Sequence, residues 1–163
     1  MAPIVSIVGK SGSGKTTFLE QLIREIASRG YKIATIKHTH HDISFDQPGK
    51  DSWRHAQAGA AATLVNSAHK MQIIKPVAAD VTIEELAGEF GAEYDLILTE
   101  GFSGGGNTPK IEIHRKAANQ PLLNPENLIA IITDEPMRVE VKIFNLDDFK
   151  GVADFIESMY LQL

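Results

Sequence analysis

Residues 9 to 16 read Gly-Lys-Ser-Gly-Ser-Gly-Lys-Thr, and this segment leaves the chain few choices of fold. It fits the pattern G-x-x-x-x-G-K-[ST] of the phosphate-binding P-loop. The apolar run of residues 4–8 before it is typical of a buried strand, and the residues after it place apolar side chains at helical spacing. Strand, glycine loop and helix therefore follow one another in the order that the motif requires.

Each residue type in this loop has a physical reason. Glycines allow the backbone to wrap around a phosphate with its N–H groups pointing inward, and the helix N-terminus adds partial positive charge. Lys15 is predicted to reach the β- and γ-phosphate oxygens, and the Thr16 hydroxyl to ligate Mg²⁺. The alternative is a flexible glycine turn that only caps a helix. The predicted nucleotide ligands in this segment are Gly9, Ser11, Gly12, Ser13, Gly14, Lys15, Thr16 and Thr17.

A second informative segment, residues 94–101, is an apolar strand that ends in Glu100 and Gly101. A buried strand that ends in a carboxylate is the Walker B pattern, in which the acid holds Mg²⁺ directly or through water. We therefore expect Glu100 to be the acid on the metal side and, with Lys15, a candidate catalytic residue. Gly101 is predicted to bring a backbone N–H to the γ-phosphate.

Residues 128–134 form another continuous apolar strand that ends in polar residues, as buried parallel strands do. Asp134 would lie at the carboxyl end of the sheet, where ligands bind. Its carboxylate is a candidate acceptor for the N1 and N2 positions of guanine. Because no N-K-x-D sequence is present, the residues alone leave the choice between GTP and ATP open.

The long segment of residues 38–52 has no hydrophobic period and reads as a loop, and loops of this length are usually functional. Its histidines, together with Asp42, suggest either transition-metal ligation or polar and phosphate contacts, while a solvated connection is the alternative. A short helix capped by Asp51 or Ser52 follows. The predicted site for a ligand or partner anion comprises His38, His40, His41, Lys50 and Arg54, and Asp42 is a further metal candidate.

Composition narrows the class of protein. The 163 residues suit a single domain, residues 1–163, and the net charge of -5 argues against nucleic-acid or membrane-surface binding as the main role. The absence of cysteine excludes disulfides and thiolate metal sites. No apolar run reaches the length of a membrane span, and the first strand begins almost at Met1, so a cytoplasmic protein is expected.

The remaining patterns predict a three-layer α/β fold of the P-loop NTPase type, with a mostly parallel sheet. Residues 61–66 and 70–75 are strand-like runs with a short connection, which predicts an antiparallel hairpin added to that sheet and an edge for homodimer formation. Thr82 and Glu85 make a capping box for a short helix. Residues 110–115 alternate as a strand with His114 facing solvent, and a final helix begins near Asp147 with Met159 facing the core.

Several segments together resemble one family, the MobB-type adaptor proteins of molybdopterin-guanine dinucleotide biosynthesis. The P-loop alone is shared by many NTPases, whereas the Lys-His-x-His-His-Asp and Pro-Gly-Lys-Asp-Ser segments look specific to this family. The matching segments are residues 12–17, 36–42, 46–52, 58–60 and 95–102.

The resemblance implies a GTP-binding protein with weak GTPase activity, usually dimeric, with GTP and Mg²⁺ as cofactors. Its implied partners are molybdopterin or its guanine dinucleotide and the nucleotidyltransferase that attaches GMP to molybdopterin. Two other classes stay open at this point: a metal-insertion GTPase chaperone, suggested by the histidine loop, and a small-molecule kinase. Any hydrolysis is expected to be slow, because no glutamine follows Glu100 and Gly101 to orient the attacking water.

Overall fold

The computed structural model describes residues 1–39, 43–78, 81–104 and 106–161. The chain divides into two compact units. The main unit comprises Met1–His38 and Thr82–Leu163, and the hairpin unit comprises Thr39–Val81. Each unit is described by itself, and the single domain expected from the chain length stays a prediction.

The described residues form eight strands and four α-helices. The strands are β1 Ile4–Val8, β2 Ile33–Lys37, β3 Thr63–Asn66, β4 Met71–Ile74, β5 Leu96–Glu100, β6 Lys110–His114, β7 Leu128–Thr133 and β8 Lys142–Phe144. The helices are α1 Lys15–Ser28, α2 Asp51–Gln57, α3 Ile83–Gly88 and α4 Phe149–Ile156, with a short 3₁₀ turn at Lys116–Ala118 and a π-helical turn at Glu157–Leu161.

The main unit is built on a six-stranded sheet in the order β2-β5-β1-β6-β7-β8, in which every neighbouring pair is parallel. The parallel sheet predicted from the sequence is confirmed. Because parallel strands end at one edge, the loops after β1, β5 and β7 meet along the carboxyl edge, where α/β sheets bind their ligands.

Apolar side chains cover both faces of this sheet, and alternate residues of each strand serve opposite faces. Val5 and Ile7 of β1 belong to the larger core cluster, to which α1 and α4 contribute. Ile4 belongs to the smaller cluster with Ile83 and Ala87 of α3. Burying such an aliphatic side chain contributes about 1.5–3 kcal/mol. The main unit therefore has helices on both faces, as the three-layer prediction requires.

Strand β6 differs from the prediction of a half-exposed strand. Lys110 and Glu112 are each 1% exposed, because backbone of residues 106–108 lies against the Lys110 ammonium and backbone of residues 123–124 against the Glu112 carboxylate. Their charges are satisfied within the fold: the Lys110 ammonium donates to two backbone carbonyls, and the Glu112 carboxylate accepts from the Leu123 and Asn124 N–H groups. His114 is also wrongly predicted, since its side chain is 11% exposed and bonds to Glu135 at 2.6 Å.

In the hairpin unit, β3 and β4 pair antiparallel, which confirms the hairpin. They form a two-stranded sheet of their own rather than extending the parallel sheet. The preceding helix α2 begins at Asp51 with Lys50 at its cap position and no side-chain capping bond, so the predicted Asp51 or Ser52 cap is wrong.

Two helix ends in the main unit test the remaining local predictions. The Thr82–Glu85 capping box is confirmed at the start of α3. At the last helix, the capping side chain is that of Asp148, which accepts from the Gly151 N–H. Met159 is 54% exposed and does not face the core as predicted, because the turn after Ile156 is π-helical and shifts the helical period.

Candidate functional site

The loop between β1 and α1 depends on glycine at both of its ends. A Cβ on Gly9 would lie 2.4 Å from the Ile113 carbonyl oxygen, so only glycine allows the loop to leave the sheet at this point. Gly14 has φ of +90° and forms the cap of α1, a conformation that favours glycine. Between them, Ser11 and Gly12 are exposed, while Ser13 is buried. The loop therefore presents backbone at the helix N-terminus, as an anion site requires.

Lys15 folds back onto this loop. Its ammonium donates to the Gly9 carbonyl at 2.8 Å and to the Lys10 carbonyl at 2.9 Å. Burial lowers the pKa of Lys15, an effect that the nearby Glu100 carboxylate opposes and the Lys37 cation reinforces. A partly desolvated ammonium gains more from an anionic partner than an exposed one does, because the local dielectric is lower.

The Thr16 hydroxyl and the Glu100 carboxylate meet beside the loop. Thr16 Oγ1 donates to Glu100 Oε1 at 2.8 Å, although the two residues are 84 positions apart. Lys37 Nζ lies 3.4 Å from the same carboxylate oxygen, because Lys37 and Glu100 are register partners at the ends of β2 and β5. A hydroxyl and a carboxylate are oxygen ligands of the kind that Mg²⁺ prefers, so the donor set fits the predicted metal.

The predicted phosphate contact of Gly101 is not available in this structure. Its N–H donates to the Ile7 carbonyl at 3.1 Å and so extends the pairing of β1 with β5. His38 lies next to this position: its Cβ is 3.3 Å from where a Cβ on Gly101 would stand, and its ring lies 4.4 Å from that of Phe102. His38 therefore packs at the carboxyl edge of the sheet beside Glu100.

Asp134 lies at the same edge, immediately after β7. Its Oδ1 accepts a hydrogen bond from the Lys116 N–H at 2.7 Å. One of the two oxygens that the predicted guanine contact needs is thus already used by the backbone.

The predicted metal and anion residues of the long loop are only partly described. His40, His41 and Asp42 lie outside the described residues. Among the residues that are described, no three histidine, aspartate or glutamate side chains group closely enough to hold a metal ion. Lys50 and Arg54 belong to the hairpin unit, where Arg54 approaches Asp51 at 3.8 Å as an exposed pair. Their predicted anion site stays a prediction.

The family model "MobB: Molybdopterin guanine dinucleotide synthesis protein B" matches residues 4–134, which is most of the chain. The chain belongs to the MobB family.

Individual MobB relatives match over nearly the full chain. The molybdopterin-guanine dinucleotide biosynthesis adapter protein of Haemophilus influenzae is 36% identical over 158 residues, covering 96% of this chain and 88% of that protein. The protein of the same name from Escherichia coli is 36% identical over 162 residues, covering 96% and 92%. The crystal structure of Bacillus subtilis MobB superposes with a TM-score of 0.77 at 32% identity, covering 97% and 98%. No helix in the described part of the chain is long and apolar enough to cross a membrane.

The sequence patterns did not identify two residues at this site of the MobB chain, Lys37 and Arg115. Lys37 reaches Glu100, and the signal for it was present, since both residues end strands that the pattern predicted to be parallel. Arg115 lies beside the P-loop: its Nη2 is 3.2 Å from the position of a Cβ on Gly14. Its signal was weaker, because the alternation of residues 110–115 puts Arg115 on the same face as the apolar Ile111 and Ile113.

Proposed function

We propose that this chain is a GTP-binding adapter protein that assists molybdopterin guanine dinucleotide biosynthesis in the cytoplasm. The names of its relatives from Haemophilus influenzae and Escherichia coli, both called adapter proteins of that biosynthesis, support the role. Its partners would be molybdopterin or its guanine dinucleotide and the nucleotidyltransferase that makes the dinucleotide.

The observation that carries the nucleotide part of this proposal is the convergence of three side chains at the P-loop. The Lys15 ammonium, the Thr16 hydroxyl and the Glu100 carboxylate come from two elements far apart in sequence and meet at one edge of the sheet. On binding, the Lys15 ammonium would exchange its two carbonyl partners for phosphate oxygens. Thr16 and Glu100 would hold Mg²⁺, which supplies neutralisation of phosphate charge.

The same geometry gives a reason for slow turnover. Phe102 and Ser103 follow Gly101, where a water-orienting glutamine would stand beside the γ-phosphate. Gln47, the glutamine that we consider for orienting the attacking water, belongs to the hairpin unit and not to the unit that carries the P-loop. Without a water-orienting residue built into the phosphate site, hydrolysis by the isolated protein should be slower than about one turnover per minute. A slow GTPase suits an adapter better than a metabolic enzyme.

A competition measurement tests this function. Labelled GTP bound to the purified protein is displaced with unlabelled GTP or ATP, with and without Mg²⁺, and then with the molybdopterin-loaded nucleotidyltransferase present. We expect displacement by GTP but not by ATP at equal concentration, tighter binding with Mg²⁺, and a change in GTP affinity when the nucleotidyltransferase is added. A protein that binds no nucleotide, or that hydrolyses GTP many times per second alone, would refute the proposal.

A further inference from the structure

A cleft of about 260 Å³ in the main unit is lined in part by the P-loop, and neither Lys15 nor Glu100 is among its described lining residues. Gly14 and Thr17 form its P-loop end, and the apolar side chains of Phe18 and Leu146 line it further along. The charged groups in its described lining are Arg115 and Asp147.

We propose that this cleft holds the nucleoside and that the Asp147 carboxylate selects guanine through its N1 and N2 hydrogens. The inference rests on the proposed GTP function and adds the residue that determines the choice of base. Asp147 follows β8 by three residues and so stands at the carboxyl edge of the sheet.

The first observation in support is that the cleft is continuous with the phosphate site. A nucleotide whose phosphates lie on the loop must leave it past the first turn of α1, and Thr17 in that turn lines the cleft. Its volume is slightly below the range of about 300–1,000 Å³ that holds a whole drug-sized ligand. It therefore suits a nucleoside whose phosphates are bound outside it.

An unsatisfied polar atom in the wall is the second argument. Ser13 is 2% exposed, lines the cleft, and its Oγ is buried without a hydrogen-bond partner among the described residues. Buried hydroxyls are almost always bonded in native proteins, because an unmade bond costs free energy. A rotation of the Ser13 side chain toward the cleft would let a bound ligand give this hydroxyl its partner.

The two charges supply the specificity. Asp147 is exposed and, within the described residues, makes no hydrogen bond or ion pair. Its two oxygens can accept from both donors on the guanine edge, whereas adenine presents an acceptor at N1 and would be repelled. Arg115 also forms no ion pair in the described chain, and its position beside Gly14 places its cation near the phosphate end of the cleft.

Asp134, the alternative carboxylate, is less suitable. One of its oxygens already accepts from the Lys116 N–H. It lines a different cleft of about 390 Å³, whose described lining comprises residues at the end of β7 and after it and residues of and after β8, with none from the P-loop. A base bound there would not be continuous with phosphates on the loop.

The test is calorimetric titration of the full chain with GDP, XDP and ADP, which avoids hydrolysis. Asp147→Asn should weaken GDP binding about 10- to 100-fold, the effect of losing charge-assisted hydrogen bonds. It should also bind XDP more tightly than the wild type does, because xanthine carries an oxygen where guanine carries the N2 donor. This gain cannot arise from misfolding. Asp134→Asn tests the rival carboxylate, and on the present proposal this variant keeps the preference for GDP.

A second pair of variants tests the role of Arg115. Arg115→Gln should weaken all three diphosphates by a similar factor of about ten, while Arg138→Gln, at another exposed arginine, should change none. GDP affinity within twofold of wild type in Asp147→Asn, or a switch to XDP in Asp134→Asn, would overturn the inference. If Lys15→Ala still abolishes binding in that case, the proposed GTP function survives. A wild-type protein that binds none of the three overturns both.

Discussion

The two units of this chain bury their apolar side chains very differently. Every buried hydrophobic residue among those described belongs to the main unit, and none lies between residues 39 and 81. The hairpin unit instead holds most of the large hydrophobic side chains that are exposed: Ile43, Phe45, Leu64, Val65, Met71, Ile73 and Val77.

The pairing of the hairpin concentrates part of this surface on one face. Leu64 pairs with Ile73, and Asn66 pairs with Met71. Since cross-strand partners lie on the same face of a sheet, three large apolar side chains share a face and are each more than half exposed. An isolated two-stranded hairpin is also only marginally stable in water. The main unit thus carries its own core, whereas the apolar face of the hairpin unit is exposed. We propose that a second copy of the chain packs against this face.

The largest expected effect separates nucleotide binding from the packing of a second copy against the hairpin unit. Lys15→Ala should abolish nucleotide binding, a loss of at least about 100-fold, because the ammonium is the phosphate contact of the loop. The fold should persist, since the Lys15 ammonium bonds to loop carbonyls and the residue belongs to neither core cluster. Calorimetry measures the affinity, and light scattering should show an unchanged oligomer. Unchanged GTP affinity in the folded variant would contradict the P-loop assignment.

The converse substitution addresses the hairpin unit. Leu64→Glu combined with Ile73→Glu puts two like charges opposite each other on the apolar face, which should shift a homodimer to monomer at tens of micromolar. GTP affinity should change little. Val139→Glu, at an exposed apolar residue of the main unit, is the control and should leave the dimer intact. A wild-type protein that is already monomeric by light scattering would refute the dimer.

Glu100→Gln has a more limited effect within the main unit. The amide can still accept from Thr16, but it lacks the charge that Mg²⁺ requires, so Mg²⁺-dependent GTP affinity should fall about tenfold, as expected for losing a charged contact. Affinity without metal should stay nearly unchanged. Titration with and without EDTA provides both values, and equal Mg²⁺ dependence in the two proteins would remove Glu100 from the metal site.

Within the main unit, some elements could be predicted from the sequence and others could not. In the main unit, hydrophobic runs and loop chemistry agree with tertiary packing, so β1, the P-loop, α1 and β5 were predicted close to their observed bounds. Strand β6 was predicted as a strand, but the predicted exposure of its polar face was wrong, because its alternating charged residues match the pattern of a solvent-facing strand. The burial of Lys110 and Glu112 depends on backbone partners that no local pattern encodes. Likewise, the hydrogen bonds of Gly101 to Ile7 and of Asp134 to Lys116 depend on the strand register and on the path of a loop, which local sequence patterns do not encode.

The smallest effect concerns Tyr31, which follows α1. It tests whether the stability of the main unit is independent of the hairpin unit. Tyr31 donates to the Glu157 carboxylate at 2.8 Å. This bond lowers the pKa of Glu157, with help from Arg29, and raises the pKa of Tyr31. Tyr31→Phe should therefore lower the Tm slightly at neutral pH, while Tyr94→Phe, whose ring packs against Phe90, serves as the control.

The pH dependence follows from the two directions. A carboxyl whose folded pKa is lowered contributes stability above its ordinary value of 4.5, and this is lost as the pH falls through the folded pKa. A phenol whose folded pKa is raised contributes stability below 10.0, and this is lost as the pH rises through the folded pKa. The Tm difference between wild type and Tyr31→Phe should thus be level between these values and shrink beyond either. The same difference should appear in the Leu64→Glu and Ile73→Glu background, because both partners lie in the main unit. If the Tm difference were lost in that background, the stability of the main unit would depend on the apolar face of the hairpin unit.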